Sequence, residues 1–147
     1  MNLIFDNYLK SRILKIVRVL LTVAPLLVLT MYTWHDLGIT AKTLPPEQFK
    51  SRLEKCKGVL VDVRTPDEYR SECIAGAINL DVQAEDFKTR ISNFEKNETY
   101  FLYCGIGKRS AKAMDVMTDV GFKKVYDLKG GLTEWKKKGF PVSKPNL

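Results

Sequence analysis

The sequence contains little histidine and cysteine, and these shortages exclude several kinds of site. His35 is the single histidine among 147 residues, so a His-based catalytic or metal site is excluded. The three cysteines, Cys56, Cys73 and Cys104, are odd in number and form no C-x-x-C pair. Such a set disfavours a zinc site and a disulfide framework, and it predicts at least one free thiol. We therefore expect no metal ion and no cofactor.

The sequence also lacks the features of a nucleic-acid-binding protein, although its net charge is +7. The basic residues are spread along the chain, and no basic helix interleaved with aromatic residues accompanies them. A dispersed excess of this kind is typical of a solvated surface. We therefore expect no nucleic-acid partner. With 45% hydrophobic residues, the bulk of the chain should form a folded domain.

The amino end differs in composition from the rest of the chain. Residues 1–18 form a basic segment, which carries Lys10, Arg12, Lys15 and Arg18. An uncharged apolar run follows over residues 19–34, and it lengthens to 22 residues when counted from Ile13. A membrane-spanning helix needs about 20 apolar residues, and basic side chains near its end can reach the headgroups. We therefore predict one N-terminal transmembrane helix over residues 19–34, extending toward residue 13.

The distribution of cations predicts the orientation of this helix. Four basic residues precede the apolar run and few follow it, so the positive-inside bias keeps the amino end cytoplasmic. Residues 35–147 would then lie on the periplasmic or outer side of the inner membrane. A cleaved signal peptide and a secreted domain are the main alternative, but "LGITAK" offers no good A-x-A cleavage site. A buried core helix fits poorly with a run that is apolar on all sides and basic at one end.

Short apolar strands alternate with helices through the rest of the chain. Residues 35–45 are interpreted as a linker, and residues 46–147 as the folded domain. The predicted strands are "GVLVDV" (Gly58–Val63), "GAINL", "TYFLYC" (Thr99–Cys104) and "KVYDL". The predicted helices are "LPPEQFKSRLEKC", "TPDEYRS", "QAEDFKTRISNF", "RSAKAMDVMTDVGF" and "GLTEWKKKG". This order predicts an α/β domain with a mostly parallel sheet between helices.

The stretch "YCGIGKRS" (Tyr103–Ser110) has the features of an anion-binding site. Cys104 ends a strand that is apolar enough to be central, and the next helix begins at Arg109. Open α/β sheets bind ligands outside the carboxyl ends of their strands. There the backbone N–H groups of a glycine-rich loop and the amino end of a helix both favour an anion. Such surroundings lower the pKa of a thiol, so Cys104 is a candidate nucleophile. An ordinary buried cysteine followed by a turn remains the alternative.

Four stretches of the chain together resemble the single-domain rhodaneses, a family of sulfurtransferases. In the family's order they are "LVDVRTPDEY" (Leu60–Tyr69), "IAGAINL" (Ile74–Leu80), "YCGIGKRSAKA" (Tyr103–Ala113) and "LKGGLTEWKKKGFPV" (Leu128–Val142). The resemblance implies the rhodanese fold, a five-stranded parallel sheet with helices on both faces, preceded here by the membrane anchor. It also implies an enzyme whose catalytic residue, Cys104, carries sulfur as a persulfide.

The same resemblance implies the substrates and the residues that bind them. A small sulfur-containing anion such as thiosulfate would donate the sulfur, and a thiol or cyanide would accept it. The residues that follow Cys104 would bind the anionic sulfur, namely Gly105, Ile106, Gly107, Lys108 and Arg109. We expect the two cations of this loop to attract the donor. The family's first motif is matched by Asp62, Arg64 and Glu68, for which structural ion pairing is the expected role.

The spacing of Cys104 and Arg109 separates this chain from related phosphatases. Phosphatases of the dual-specificity type share the fold but carry C-x5-R, whereas this chain carries C-x4-R, a loop one residue shorter. The shorter loop favours a smaller sulfur centre over a phosphate. Two other functions stay open as alternatives. One is a non-catalytic rhodanese-like module that binds a partner protein, and the other is a thiol redox protein that uses Cys104 with Cys73.

Overall fold

The structure is a computed structural model that describes residues 38–145. The predicted basic segment (residues 1–18) and the predicted transmembrane helix (residues 19–34) lie outside the described residues. Within residues 38–145, no helix has both the length and the apolar character that a membrane crossing requires.

Five parallel strands form one sheet, as the resemblance implied. The strands are β1 (Thr40–Leu44), β2 (Val59–Asp62), β3 (Ile78–Asn79), β4 (Thr99–Tyr103) and β5 (Lys124–Leu128). Their order across the sheet is β1-β5-β4-β2-β3, and every pairing is parallel. The most apolar predicted strand, β4, is the central one, because a central parallel strand is covered on both faces. The predicted five-stranded parallel sheet is confirmed.

Helices cover both faces of the sheet. They are α1 (Pro46–Lys55), α2 (Pro66–Ser71), α3 (Phe87–Ser92), α4 (Lys108–Asp119) and α5 (Gly131–Lys137). Phe49 of α1 packs with Phe101 of β4 in one core, to which α5 also contributes. Met117 of α4 packs with Leu102 of β4 in a second core, to which α3 also contributes. Successive residues of β4 therefore point into different cores, as the alternation of a strand requires.

The predicted linker over residues 35–45 is wrong in its second half. Thr40–Leu44 form β1, which pairs with β5 along its whole length. The three middle residues of this edge strand are exposed and only Leu44 is buried. The stretch therefore has no apolar pattern from which a strand could be predicted, and its backbone bonds to β5 define it instead. The folded domain begins before residue 46.

Two other elements are shorter than predicted. The stretch "GAINL" contributes only the two residues of β3 to the sheet, and the predicted helix "QAEDFKTRISNF" is reduced to α3. The residues before α3 form turns, in which the Asp81 carboxylate accepts the N–H of Gln83. Aspartate side chains compete in this way with the backbone bonds of a helix, so α3 begins later than its apolar spacing indicates.

Candidate active site

The candidate nucleophile lies where the central strand leads into a helix. Cys104 follows β4 directly, and α4 begins after three further residues, at Lys108. Gly107 occupies the turn with a φ of +90°, a conformation that residues with a side chain rarely adopt. This turn brings the backbone N–H groups back toward Cys104. We call residues 104–109 the Cys104 loop.

Hydrogen-bond donors surround the sulfur of Cys104. The side chain is fully buried, and the N–H of Gly107 donates to Sγ with an N···S distance of 3.1 Å. The hydroxyl of Ser110, in the first turn of α4, donates to Sγ with an O···S distance of 3.5 Å. Burial by itself raises the pKa of this thiol, but the Ser110 hydroxyl and the N–H groups of Ser110, Ile106 and Gly107 outweigh it. The Cys104 pKa therefore lies below its ordinary value, which favours the thiolate.

The amino end of α5 holds the backbone of the Cys104 loop. The N–H of Leu132 donates to the carbonyl of Cys104 at 2.8 Å, and the N–H of Thr133 donates to the carbonyl of Gly105 at 3.0 Å. The helix approaches this closely because Gly131 has no side chain. A Cβ atom at residue 131 would lie 2.3 Å from the Cys104 carbonyl oxygen. The contact between α5 and the loop therefore depends on this glycine.

Arg109 makes an ion pair that the sequence did not reveal. Its two terminal guanidinium nitrogens each donate to a carboxylate oxygen of Glu68 at 2.7 Å. The bidentate bond with Arg109 lowers the pKa of Glu68 to about 2. Glu68 also accepts the N–H of Thr65 in a capping box at the start of α2. We expected Arg109 to attract an anionic donor, but Glu68 balances much of its charge. The pair ties the Cys104 loop to α2, and Lys108 is exposed at the rim.

Asp62 and Arg64 form a buried ion pair that does not reach the sulfur. Nη2 of Arg64 donates to Oδ2 of Asp62 at 2.6 Å and to the carbonyl of Glu72 at 2.6 Å. Additional bonds from the backbone N–H and Nε of Arg64 also end on the Asp62 carboxylate. These contacts compensate for the removal of both charges from water. They connect the end of β2 with the end of α2.

The other two cysteines have different surroundings, and all three described thiols are free. Cys73 is buried, its backbone pairs with Ser143 in both directions, and burial raises the pKa of its thiol. The raised pKa of the Cys73 thiol disfavours a redox pair of Cys104 and Cys73. Cys56 is exposed at the end of α1.

Two polar residues close to this site were given no role in the sequence analysis. Ser110 is fully buried, and its position in the first helical turn after a cysteine loop is the available signal. Asp127 is buried in β5, on the face of the sheet that α4 covers. The signal here is an acidic residue in "KVYDL", a stretch predicted as a strand, because a buried carboxyl requires compensation.

The arrangement supplies nucleophilic chemistry. A thiolate held among N–H donors can attack an electrophilic sulfur, and the same donors can then bind a second, anionic sulfur. Because the products of such a displacement leave as stabilised anions, the reaction needs no histidine base. Among the residues that the structure describes, no three His, Cys, Asp or Glu side chains are arranged to hold a metal ion.

Comparison with known proteins identifies the family of this domain. The family model of the rhodanese-like domain matches residues 45–138, which is more than half of the chain. The matched region includes the Cys104 loop, its partner Glu68 and Gly131 at the start of α5. The site described above therefore lies inside the matched domain.

Several curated relatives, among them the following two, carry names that refer to sulfur transfer. The protein named Sulfurtransferase of Allochromatium vinosum is 32% identical over 100 residues, which cover 67% of this chain and 92% of that protein. Thiosulfate sulfurtransferase PspE of Escherichia coli is 34% identical over 76 residues, which cover 50% of this chain and 70% of that protein. Both alignments cover more than two thirds of the relative.

Solved structures show the same fold. The solution structure of the rhodanese-like domain of an Anabaena protein is 30% identical, with a TM-score of 0.63 over 70% of this chain and 79% of that one. The crystal structure of a rhodanese-like domain protein from Staphylococcus aureus is 29% identical, with a TM-score of 0.57 over 64% of this chain and 90% of that one. The chain and these domains therefore share one architecture.

Proposed function

Because the chain belongs to the family of rhodanese-like domains, we propose that it is a sulfurtransferase that moves a sulfane sulfur through a persulfide on Cys104. Its relatives include proteins named for sulfur transfer, which supports this class of activity. The donor in the proposal is a small anion such as thiosulfate. The acceptor is a thiol or cyanide.

The observation that carries the proposal is the set of hydrogen-bond donors around the Cys104 sulfur. The N–H of Gly107 and the hydroxyl of Ser110 reach Sγ directly, and the pKa of the thiol is lowered despite its burial. A buried structural cysteine has a raised pKa, as Cys73 does. The difference between these two thiols favours a reacting role for Cys104.

The reaction consists of two displacements at sulfur. In the first, the Cys104 thiolate attacks the sulfane sulfur of thiosulfate. A bond forms between Sγ and that sulfur, the bond to the sulfonate sulfur breaks, and sulfite leaves with the electron pair. In the second, cyanide or a thiolate attacks the outer sulfur, and the Cys104 thiolate departs as the leaving group. Charge is conserved in both steps, so the loop N–H groups have only to bind anionic sulfur.

The two cations of the Cys104 loop differ in how well they could attract the anionic sulfur donor. Arg109 is balanced by Glu68, whereas Lys108 is exposed at the rim, so Lys108 is the better placed cation for attracting an anion. The C-x4-R spacing from Cys104 to Arg109 favours a sulfur centre over a phosphate in the same position. Ile106, whose side chain is 62% exposed, would contact the donor or the acceptor at the mouth of the site.

Mass measurement tests the proposed persulfide. The full chain, incubated with thiosulfate and freed of excess reagent, should gain the mass of one sulfur atom, and sulfite should appear in equal amount. Cyanide should then remove the added mass and release thiocyanate. Folded protein, judged by circular dichroism, that gains no sulfur from thiosulfate or any other sulfane donor would contradict the proposal. That result would favour the alternative of a non-catalytic module that binds a partner protein.

We also propose a location, which rests on residues outside the described part of the chain. The apolar run over residues 19–34 and the cations before it support a single-pass anchor in the inner membrane, with residues 35–147 on the periplasmic side. A reporter enzyme that is active only outside the cytoplasm, fused after Leu147, should be active in membrane fractions. Activity of a cytoplasm-specific reporter at the same position would contradict this orientation. Activity in the soluble periplasmic fraction would indicate cleavage and release.

A further inference from the structure

A buried carboxyl lies beside the candidate nucleophile, and the proposed mechanism does not use it. Asp127 is only 2% exposed, and it pairs across the sheet with Leu102, two residues before Cys104. Leu102 and Cys104 both point into the core beneath α4, and so does Val125, two residues before Asp127. The alternation of the strands therefore places Asp127 and Cys104 on the same face, where the first turn of α4 covers both.

The two oxygens of this carboxyl differ in their contacts. Oδ2 accepts a hydrogen bond from the hydroxyl of Thr43 in β1 at 3.2 Å. Oδ1 is buried and has no hydrogen-bond partner among the residues that the structure describes. The side chain of Ser110 is close enough to influence the pKa of this carboxyl, and its hydroxyl lies 3.5 Å from the Cys104 sulfur and 3.3 Å from the carbonyl oxygen of Gly107. A buried polar atom without a partner is costly, so the state of Oδ1 needs an explanation.

The single hydroxyl hydrogen of Ser110 provides that explanation. An ionised Asp127 would compete with the Cys104 thiolate for this hydrogen, because both are anionic acceptors. A protonated Asp127 has a hydrogen of its own on Oδ1, which it can donate to the Ser110 oxygen. Asp127 then no longer draws the Ser110 hydrogen away from Sγ, and Oδ1 has a partner. The remaining competitor for that hydrogen is the carbonyl of Gly107 at 3.3 Å, which is neutral and therefore a weaker acceptor than a thiolate.

We propose that Asp127, as a neutral acid, is a positioning residue that donates to Ser110 and thereby directs the Ser110 hydroxyl toward the Cys104 sulfur. This inference deepens the proposed function, because it concerns the thiolate on which that function rests. It involves no transfer of the proton: the hydrogen stays on Asp127, and the hydroxyl of Ser110 remains a donor to sulfur.

The surroundings of the carboxyl favour its neutral form. Burial raises the pKa of Asp127, and the nearby polar groups of Ser110, Thr43 and the backbone at Leu128 only partly oppose this. These groups approach from α4, β1 and β5 and are uncharged. On the same face of the sheet, β4 carries the titratable residue Tyr100 and is followed by Cys104, whose thiol is reached through Ser110. When the pH rises through the raised pKa of Asp127, the new carboxylate should withdraw the Ser110 hydrogen from sulfur and disfavour the thiolate.

The test measures alkylation of Cys104 by iodoacetamide against pH in the full chain, with peptide mass analysis to separate Cys104 from the other cysteines. Asp127→Val removes the donor to Ser110. It should raise the midpoint of the Cys104 profile by about one pH unit, a roughly tenfold loss of rate below the midpoint. Asp127→Asn should recover most of that loss, because an amide can donate to Ser110 and accept from Thr43.

Further variants make the test decisive. Ser110→Ala should raise the midpoint as well, and the double variant with Asp127→Val should raise it no further, since both act through one hydroxyl. Val125→Ala, on the same face of β5, should lower stability without moving the midpoint. Additive effects of the two single variants, an unmoved midpoint in Asp127→Val or a failure of Asp127→Asn to recover would each overturn the proposal.

A spectroscopic measurement covers the case in which Asp127→Val does not fold. The infrared spectrum of the wild-type chain at neutral pH should contain the carbonyl band of a buried protonated carboxyl, and Asp127→Asn should lack it. The absence of this band from the wild type would overturn the proposal. Alkylation and infrared absorption require no sulfur donor, so they give their answer whether or not the chain transfers sulfur.

Discussion

Replacement of Cys104 by serine should abolish sulfur transfer. A serine hydroxyl stays protonated at neutral pH and cannot form a persulfide. The hydrogen-bond donors that surround the Cys104 sulfur in the wild type would then have no thiolate to stabilise. We expect the rate of thiocyanate formation from thiosulfate and cyanide to fall by roughly a thousandfold or more, to the uncatalysed background. The variant should also gain no sulfur mass after incubation with thiosulfate. Because serine is nearly isosteric, the free energy of unfolding should change little, which separates loss of chemistry from loss of fold.

The other cysteines supply the controls for this experiment. Cys56→Ser alters an exposed residue at the end of α1, and Cys73→Ser alters a buried thiol whose backbone pairs with Ser143. Both should retain sulfur transfer and the mass gain. A loss of transfer in Cys73→Ser with the fold intact would revive the redox alternative. Persulfide mass on Cys104→Ser would show that another thiol carries the sulfur.

The reacting part of the site could be predicted because its determinants are contiguous in sequence. A strand, a glycine-rich turn and a helix follow one another within "YCGIGKRS", and the physics of anion binding at a helix amino end acts over a few residues. The central position of β4 was predictable for a similar reason, since a strand covered on both faces is apolar throughout. The structure has both features.

The contacts that the sequence patterns did not predict join residues that are far apart in the chain. Arg109 and Glu68 are 41 residues apart, and nothing near either one indicates that the cation is held by the acid. Asp127 and Cys104 lie on different strands, and only the register of β5 against β4 brings them to one face. The edge strand β1 has little buried surface, so its residues carry almost no signal of the pairing. Backbone pairing and long-range ion pairs are therefore where sequence patterns contain least information.

The contact between α5 and the Cys104 loop leads to the last prediction, which concerns Gly131→Ala. Residue 131 has a φ of +58°, and a Cβ there would lie 2.3 Å from the Cys104 carbonyl oxygen and 2.8 Å from the backbone of Gly105. The left-handed conformation costs about 1–2 kcal/mol for alanine, and overpacking against backbone costs about 1–3 kcal/mol more. We expect the free energy of unfolding, measured by urea titration, to fall by about 3 kcal/mol. This is a large part of the roughly 5–15 kcal/mol that stabilises a typical domain.

Gly76→Ala is the matched control for this substitution. Gly76 also has a positive φ, +81°, but a Cβ there would meet no atom within 4 Å. The free energy of unfolding of Gly76→Ala should therefore fall only by the cost of the left-handed backbone conformation, about 1 kcal/mol, and the variant should keep its sulfur transfer. Gly131→Ala should in addition slow sulfur transfer on the order of a hundredfold, because displacement of the Cys104 carbonyl moves the sulfur relative to the groups that donate hydrogen bonds to it. Equal losses of stability in the two variants would mean that the contact with α5 does not constrain the loop. A destabilised Gly131→Ala that transfers sulfur at the wild-type rate would mean that the loop backbone can shift without moving the sulfur.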